Sequence, residues 1–307
     1  MKSHNRAKIK KVIKTSAVSL VIMLIAAIIL LRIFVTGENC LSDPKNENAA
    51  SFFKGNSTIC LLIHGFASGP QELKYLAEFL HRKGYSVKTV LLRGHNQNPS
   101  ALGAVNWHDW DNQIKSELNE LKKCGFRQYI VIGFSMGGLL AIRAGLDERV
   151  TGVALINPCV FVFNKHFYDL PLEPLIKASS FFVPYLFRKS DLSFCYKNQK
   201  HKRIVYHEIP LTAVYQLMVM TDSTKAILKD FDCPILIIYA EDDKTVDPFS
   251  SKYIFSSVKS SRKYQFVVPT GGHLIVLNDR RDEVFEKIFS FIENLKRQRP
   301  ENEKHHE

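Results

Sequence analysis

The segment that most restricts the fold is Gly133-Phe134-Ser135-Met136-Gly137. It lies between a short apolar run (Tyr129, Ile130, Val131, Ile132) and a helical stretch (Leu139, Leu140, Ala141, Ile142). A buried strand, a sharp turn and a helix must then follow one another within a few residues. Such a turn forces Ser135 into a strained backbone conformation, and only small neighbours let the helix begin so close to the strand. The serine hydroxyl is expected to stand above a sheet at a helix N-terminus, where backbone N–H groups stabilise developing negative charge. Glycine and serine are common in loops, so the five-residue pattern alone is weak. The flanking strand and helix make Ser135 a candidate nucleophile.

A serine is a poor nucleophile unless a histidine accepts its proton and a buried carboxylate holds that imidazole in the right tautomer. Residues Pro234 to Tyr239 (PILIIY) read as a fully buried strand, too continuously apolar to be half exposed. They open into the acidic loop Ala240-Glu241-Asp242-Asp243-Lys244. A second strand, Tyr264 to Val268, is followed by Pro269-Thr270-Gly271-Gly272-His273, which offers His273 as the base. Its rivals include His4, His305 and His306 in the tails and His81 on a helix, where a solvated role suffices. Three acids compete for the carboxylate role: Asp242, Asp243 and Asp247. Asp247 before Pro248 also suits the cap of a helix over Pro248 to Val258, and Asp243 is the preferred triad acid. An oxyanion site needs a second N–H from the loop after an early strand. Thr58 to Ile63 (TICLLI) runs into His64-Gly65-Phe66-Ala67, so the amides of Phe66 and Met136 are the expected donors. His64 reads as a structural turn histidine, because His273 already stands where the base belongs.

These residues, with others spread along the chain, are similar to the bacterial carboxylesterases of the monoacylglycerol lipase-like α/β-hydrolase group. The resemblance covers roughly residues 58–297 and runs in order through LLIHGFASGPQEL, FLHRKGYSV, LLRGHNQNP, NWHDW, GFSMGG, IPLTAVYQL, AEDDKTVDP and GGHLIVLNDRRDEVFEKIFSFI. The order serine, acid, histidine is that of the same superfamily. The resemblance implies Ser135, Asp243 and His273 as catalytic triad and Phe66 and Met136 as oxyanion amides. It implies a mostly parallel α/β sheet carrying a cap. One departure is Gly94-His95-Asn96, where the family often has Gly-His-Gly, and it puts the local turn in question.

Strand and helix alternate as such a sheet requires: strand Thr58–Ile63, helix Gln71–Arg82, strand Ser86–Leu91, helix Asp109–Lys123, strand Gln128–Ile132, helix Gly138–Leu146 and strand Val150–Ile156. The pattern resumes at Pro234–Tyr239 and Tyr264–Val268 and closes with a helix over Asp282–Arg297. Between Cys159 and Phe231 the alternation breaks, and residues 159–231 are expected to form the cap. That insertion is rich in Phe and Tyr (Phe161, Phe163, Phe181, Phe182) and in Lys and Arg. Its aromatics serve either as the cap's own core or as a lid that lines an acyl pocket and meets anionic headgroups.

The formal charge of +12 is concentrated ahead of an apolar segment. Lys2, Arg6, Lys8, Lys10, Lys11 and Lys14 form a basic stretch over residues 1–14, followed by an expected transmembrane signal anchor at 15–35. Residues Ala17 to Leu31 carry no charge. At about 1.5 Å per residue, and with Arg32 snorkelling, the stretch nearly spans a ~30 Å hydrocarbon core. No A-x-A-like cleavage site follows Leu31, and Gly37-Glu38-Asn39 before Cys40 does not suit lipidation. The six basic residues then keep the N-terminus cytoplasmic and put the catalytic domain across the membrane. A tether (36–57), the hydrolase domain (58–297) and a charged tail (298–307) complete the organisation. No nucleic-acid signature accompanies the charge. The six cysteines show no metal-ligand spacing, and no metal or organic cofactor is implied. The expected activity is a membrane-anchored serine carboxylester hydrolase acting on short- or medium-chain esters, monoacylglycerols or lysophospholipids. An acyltransferase using the same triad, or a catalytically inactive binding protein, are the rivals.

Overall fold

The computed structural model describes residues 50–161, 172–180, 184–187, 195–196, 199–200, 206 and 208–298. The expected anchor (15–35), most of the tether and the aromatics Phe163, Phe181 and Phe182 lie outside the described residues. Among the described residues no helix is long and apolar enough to cross a membrane.

The chain opens with strands β1 (Phe52–Phe53), β2 (Thr58–Ile63) and β3 (Ser86–Val90), with helix α1 (Lys74–Arg82) between the last two. Helices α2 (Pro99–Gly103) and α3 (Trp107–Lys123) lead to β4 (Gln128–Phe134), α4 (Met136–Ala144) and β5 (Val150–Ile156). The insertion supplies α5 (Leu172–Ser179), the short strands β6 (Tyr185–Phe187), β7 (Cys195–Tyr196), β8 (Gln199–Lys200) and β9 (Glu208–Pro210), and the long α6 (Leu211–Ile227). Strand β10 (Ile235–Ala240), α7 (Phe249–Ser257), β11 (Lys263–Val268) and α8 (Arg281–Arg297) close the domain.

Seven strands form one sheet in the order β1-β3-β2-β4-β5-β10-β11. All neighbours pair in parallel except β1, which runs antiparallel to β3. The continuous apolar character of TICLLI follows from coverage on both faces. Ile59, Leu61 and Ile63 enter one core with Val131, Leu155 and Ile237, beneath α3, α4 and α6. Cys60 and Leu62 enter the other with Ile132, Ile156 and Ile238, beneath α1 and α8. The central strands β2, β4, β5 and β10 thus divide their alternate residues between two cores, which leaves them no polar face to produce an alternating pattern.

Several boundaries differ from the sequence reading, each for a local reason. Helix α3 opens at Trp107, two residues ahead of the expected Asp109, because Asn106 caps it reciprocally. The Asn106 side chain accepts from the Asp109 N–H at 3.2 Å, while Asp109 accepts from the Asn106 N–H at 2.9 Å. Helix α4 opens at Met136, where Gly138 was expected, since Gly137 and Gly138 sit in its first turn despite poor helix propensity. The stretch read as tether already contains β1, fastened by the Thr89 N–H to the Ser51 carbonyl at 2.9 Å.

Within the insertion, α6 is packed on the body of the domain. It buries Leu211, Ala213, Leu217 and Met220. Its polar side chains tie it to three helices: Thr212 Oγ1 donates to the Gly103 carbonyl at 3.0 Å, Gln216 accepts from the Trp107 N–H at 3.2 Å, and Arg143 donates to Ser223 at 3.2 Å.

Candidate active site

Ser135 occupies the junction between β4 and α4 with φ 54° and ψ −118°, a conformation rarely adopted by a residue bearing a side chain. The two glycines of the motif explain why the strain persists. A Cβ on Gly133 would lie 2.1 Å from the Gly137 carbonyl oxygen, and one on Gly137 would lie 2.1 Å from the Ile63 carbonyl oxygen. Helix α4 is therefore pressed against β2 and β4 by backbone contacts that admit no methyl group. Replacing Gly137 with alanine is expected to lower the stability of the domain by about 3 kcal/mol or more, since the clash is with backbone. A urea midpoint within error of the parent protein would contradict that packing.

His273 links Ser135 to Asp243. Its Nε2 lies 3.0 Å from Ser135 Oγ, and its Nδ1 lies 2.7 Å from Asp243 Oδ2. The other oxygen of Asp243 accepts from the Thr245 and Val246 N–H groups at 2.8 and 3.0 Å. An ionised carboxylate only accepts hydrogen bonds, so Nδ1 carries the proton and Nε2 is left as the acceptor facing the serine hydroxyl. The Phe134 ring packs beside the imidazole, with centroids 5.0 Å apart. Ser135 and Asp243 are buried, and the His273 side chain is 11 % exposed.

The two rival acids do different work. Asp242 accepts from the Gly271 and Gly272 N–H groups at 3.1 and 2.7 Å, so it holds the loop that carries His273. Asp247 accepts from the Phe249 N–H at 2.8 Å at the start of α7. A further positioning residue escaped the sequence reading. Asn157, at the end of β5 with φ 44°, donates to the carbonyls of Gly272 and His273 at 3.2 and 2.7 Å. It accepts from the Ala240 N–H at 2.9 Å, joining the acid loop to the histidine loop.

The loop after β2 passes beside the serine. A Cβ on Gly65 would sit 3.3 Å from Ser135 Cβ. The Gly65 N–H donates to the buried carboxylate of Glu72 at 3.1 Å, and Ala67 takes φ 51°. Met136 is the first residue of α4, and the N–H groups of a first turn have no intrahelical acceptor. His64 is fully buried and structural: Nε2 accepts from the Leu92 N–H at 3.2 Å, so Nδ1 donates to the Gly65 carbonyl at 2.8 Å. The departure at Asn96 is accommodated by φ 56°, a left-handed value that asparagine tolerates better than most residues.

The His64 and His95 rings pack with centroids 4.9 Å apart. Burial, and then the neighbouring His64, hold His95 well below the ordinary histidine value; burial likewise lowers His64. Both are neutral in the folded domain but take up protons when unfolded below about pH 6.5. Stability is therefore full above that value and is lost as the pH falls below it. His95→Gln is expected to flatten the acid side of a plot of Tm against pH; an unchanged slope would exclude His95 as a contributor.

Cys60, Cys124, Cys159 and Cys233 are free thiols. Burial pushes the Cys159 and Cys233 thiols up to about 12, which disfavours their thiolate forms. Among the described residues no three or more His, Cys, Asp or Glu side chains gather as a metal site.

A family profile described as serine aminopeptidase, S33, matches residues 55–281. The chain belongs to this family. Within the S33 hydrolases it is 27% identical over 254 residues to the thermostable monoacylglycerol lipase of Bacillus sp. (strain H-257), covering 81% of this chain and 96% of that one. It is 22% identical to the carboxylesterase of Bacillus subtilis (strain 168), covering 79% and 95%. Among solved structures, one from work on the metagenome-derived lipolytic enzymes LipS and LipT superposes with a TM-score of 0.72 at 25% identity, covering 81% of this chain and 98% of that one. A soluble variant of the Saccharomyces cerevisiae monoglyceride lipase superposes with a TM-score of 0.66 at 18% identity, covering 85% and 96%. The fold is thus the α/β-hydrolase fold.

Proposed function

We propose that this S33 family member is a serine carboxylester hydrolase in which Ser135, His273 and Asp243 form the catalytic triad. The observation that carries the reading is the unbroken hydrogen-bonded sequence Ser135–His273–Asp243 at a strained strand-to-helix turn. Ser135 Oγ attacks the ester carbonyl while its proton passes to His273 Nε2, and Asp243 stabilises the imidazolium that forms. The carbonyl oxygen, now negative, receives the Phe66 and Met136 N–H groups. Collapse of this intermediate breaks the bond to the alcohol, which leaves with the proton from His273. Water, deprotonated by the same imidazole, then releases the acid and restores Ser135.

Relatives named as a monoacylglycerol lipase, a carboxylesterase and a phospholipase favour esters over amides as substrates. Short- and medium-chain carboxylesters, monoacylglycerols and lysophospholipids are the proposed substrate class. The test is a p-nitrophenyl ester chain-length series run beside an aminoacyl p-nitroanilide. Turnover of the anilide with no turnover of any ester would move the reading from esterase to aminopeptidase.

Residues 15–35 are proposed as a single-pass anchor, with the catalytic domain on the extracytoplasmic side. What supports this is the uncharged run from Ala17 to Leu31 behind six basic residues. Deleting residues 1–36 is expected to release a soluble, active enzyme, and a reporter fused after Asp43 to read out as extracytoplasmic. A cytoplasmic readout would reverse the topology and leave the chemistry untouched.

A further inference from the structure

Gly65 is the joint on which the proposed oxyanion donor turns. The 64–65 and 65–66 peptide planes are related by the φ and ψ of this glycine, and no side chain restricts them. A Cβ here would lie 3.2 Å from Glu72 Oε2 and 3.3 Å from both Phe134 Cδ1 and Ser135 Cβ, so the residue sits against the nucleophile. The Phe66 N–H belongs to the second plane and points opposite to the Gly65 carbonyl. Whatever holds the two planes therefore aims the Phe66 N–H.

Each plane has a buried partner. His64 Nδ1 donates to the Gly65 carbonyl at 2.8 Å and holds the second plane. Glu72 holds the first, its Oε2 accepting from the Gly65 N–H at 3.1 Å. Glu72 can reach back seven residues because the chain turns at Ala67 (φ 51°) and then tightens into the 3₁₀ turn Pro70–Leu73. The Glu72 N–H donates to the Gly69 carbonyl at 3.2 Å, which fixes that turn. Lys74, two residues on, faces solvent, whereas Glu72 is 1% exposed. A carboxylate withdrawn from water is costly unless hydrogen bonds replace its hydration, and the Gly65 N–H supplies one.

The charge of Glu72 is not what the reaction gains. A negative charge so near Ser135 opposes the oxyanion that develops there. What the side chain supplies is an acceptor at a fixed place. We propose that Glu72 is a positioning residue: by holding the Gly65 N–H it sets the direction in which the Phe66 N–H meets the oxyanion. The proposal rests on the triad and oxyanion reading above and deepens it.

The test compares a p-nitrophenyl ester with the corresponding thionoester, in which sulfur replaces the carbonyl oxygen. Both release the same phenol through the same triad, but the larger sulfur is a weak acceptor for the two N–H groups. The ratio of their kcat/KM values therefore reads the oxyanion site and cancels any loss of folded enzyme. Glu72→Met fills the space and removes the acceptor. It is expected to lower kcat/KM for the oxygen ester about 10- to 100-fold and for the thionoester by less than about threefold, so the ratio collapses. Glu72→Gln keeps an amide oxygen for the Gly65 N–H and is expected to hold the ratio within about threefold of the parent. Circular dichroism confirms folding; should Glu72→Met not fold, Glu72→Asp, one methylene short of Gly65, replaces it with the same expectation. Equal loss on both substrates without the acceptor, or collapse of the ratio in Glu72→Gln as well, would overturn the positioning role. So would a parent enzyme that turns over both substrates equally. A parent that hydrolyses neither would overturn it through the hydrolase reading, on which oxygen-ester turnover by the parent reports separately.

Discussion

Replacing Ser135 with alanine is expected to reduce ester hydrolysis by roughly 10⁴- to 10⁶-fold and to abolish labelling by a fluorophosphonate. The magnitude follows from the division of labour at the site. In the proposed mechanism the hydroxyl is the atom that forms the acyl-enzyme, and without it the remaining parts polarise a carbonyl that nothing attacks. Folding should be preserved, because the strained backbone at residue 135 is held by contacts of Gly133 and Gly137. His273→Ala is expected to match the serine variant, since neither group works without the other. The check is kcat/KM on a p-nitrophenyl ester with thermal melts alongside. More than a few per cent of parental activity in Ser135→Ala, in folded protein, would falsify the nucleophile assignment.

The parts of this site that were legible in the sequence are those that follow buried strands. PILIIY and TICLLI are apolar throughout because β10 and β2 lie between two cores, and a chemically distinctive loop follows each. Ser135, His273 and the acid loop could be found that way. What remained hidden depends on contacts between distant residues. Asn157 bonds to His273 from 116 positions away, and nothing in Ile156-Asn157-Pro158 marks its side chain as a clamp. Glu72 looks like an ordinary first-turn acid until its carboxylate is seen to accept from Gly65. Strand β1, two residues long, is too short to display a period, and it exists because β3 offers a free edge. Helix α6 carries apolar residues around much of its circumference, which blurs the helical repeat that would have separated it from the rest of the insertion.

The choice among Asp242, Asp243 and Asp247 yields a ranked prediction in which Asp243→Asn is the most damaging, at roughly 10⁴-fold in kcat/KM. The hydrogen bonds at Asp243 dictate how an asparagine must sit. One oxygen position accepts from two backbone N–H groups, Thr245 and Val246, and only the amide oxygen of asparagine can fill it. The amide NH₂ then faces His273 Nδ1, the atom that a carboxylate oxygen faces in the parent. Nδ1 must accept from it, so the ring proton moves to Nε2 and meets the Ser135 hydroxyl head-on. The base is lost although the fold is intact. Asp242→Asn should cost far less, about 10- to 100-fold, because one of its two bonds to the Gly271 and Gly272 N–H groups survives and the histidine loop shifts only slightly. Asp247→Asn should be close to silent, since asparagine caps a helix start as well as aspartate does. Measured kcat/KM values in the order Asp243, Asp242, Asp247 support the assignment. If Asp247→Asn proves the worst, the acid lies four residues further along the chain and the His273–Asp243 contact is not the catalytic one.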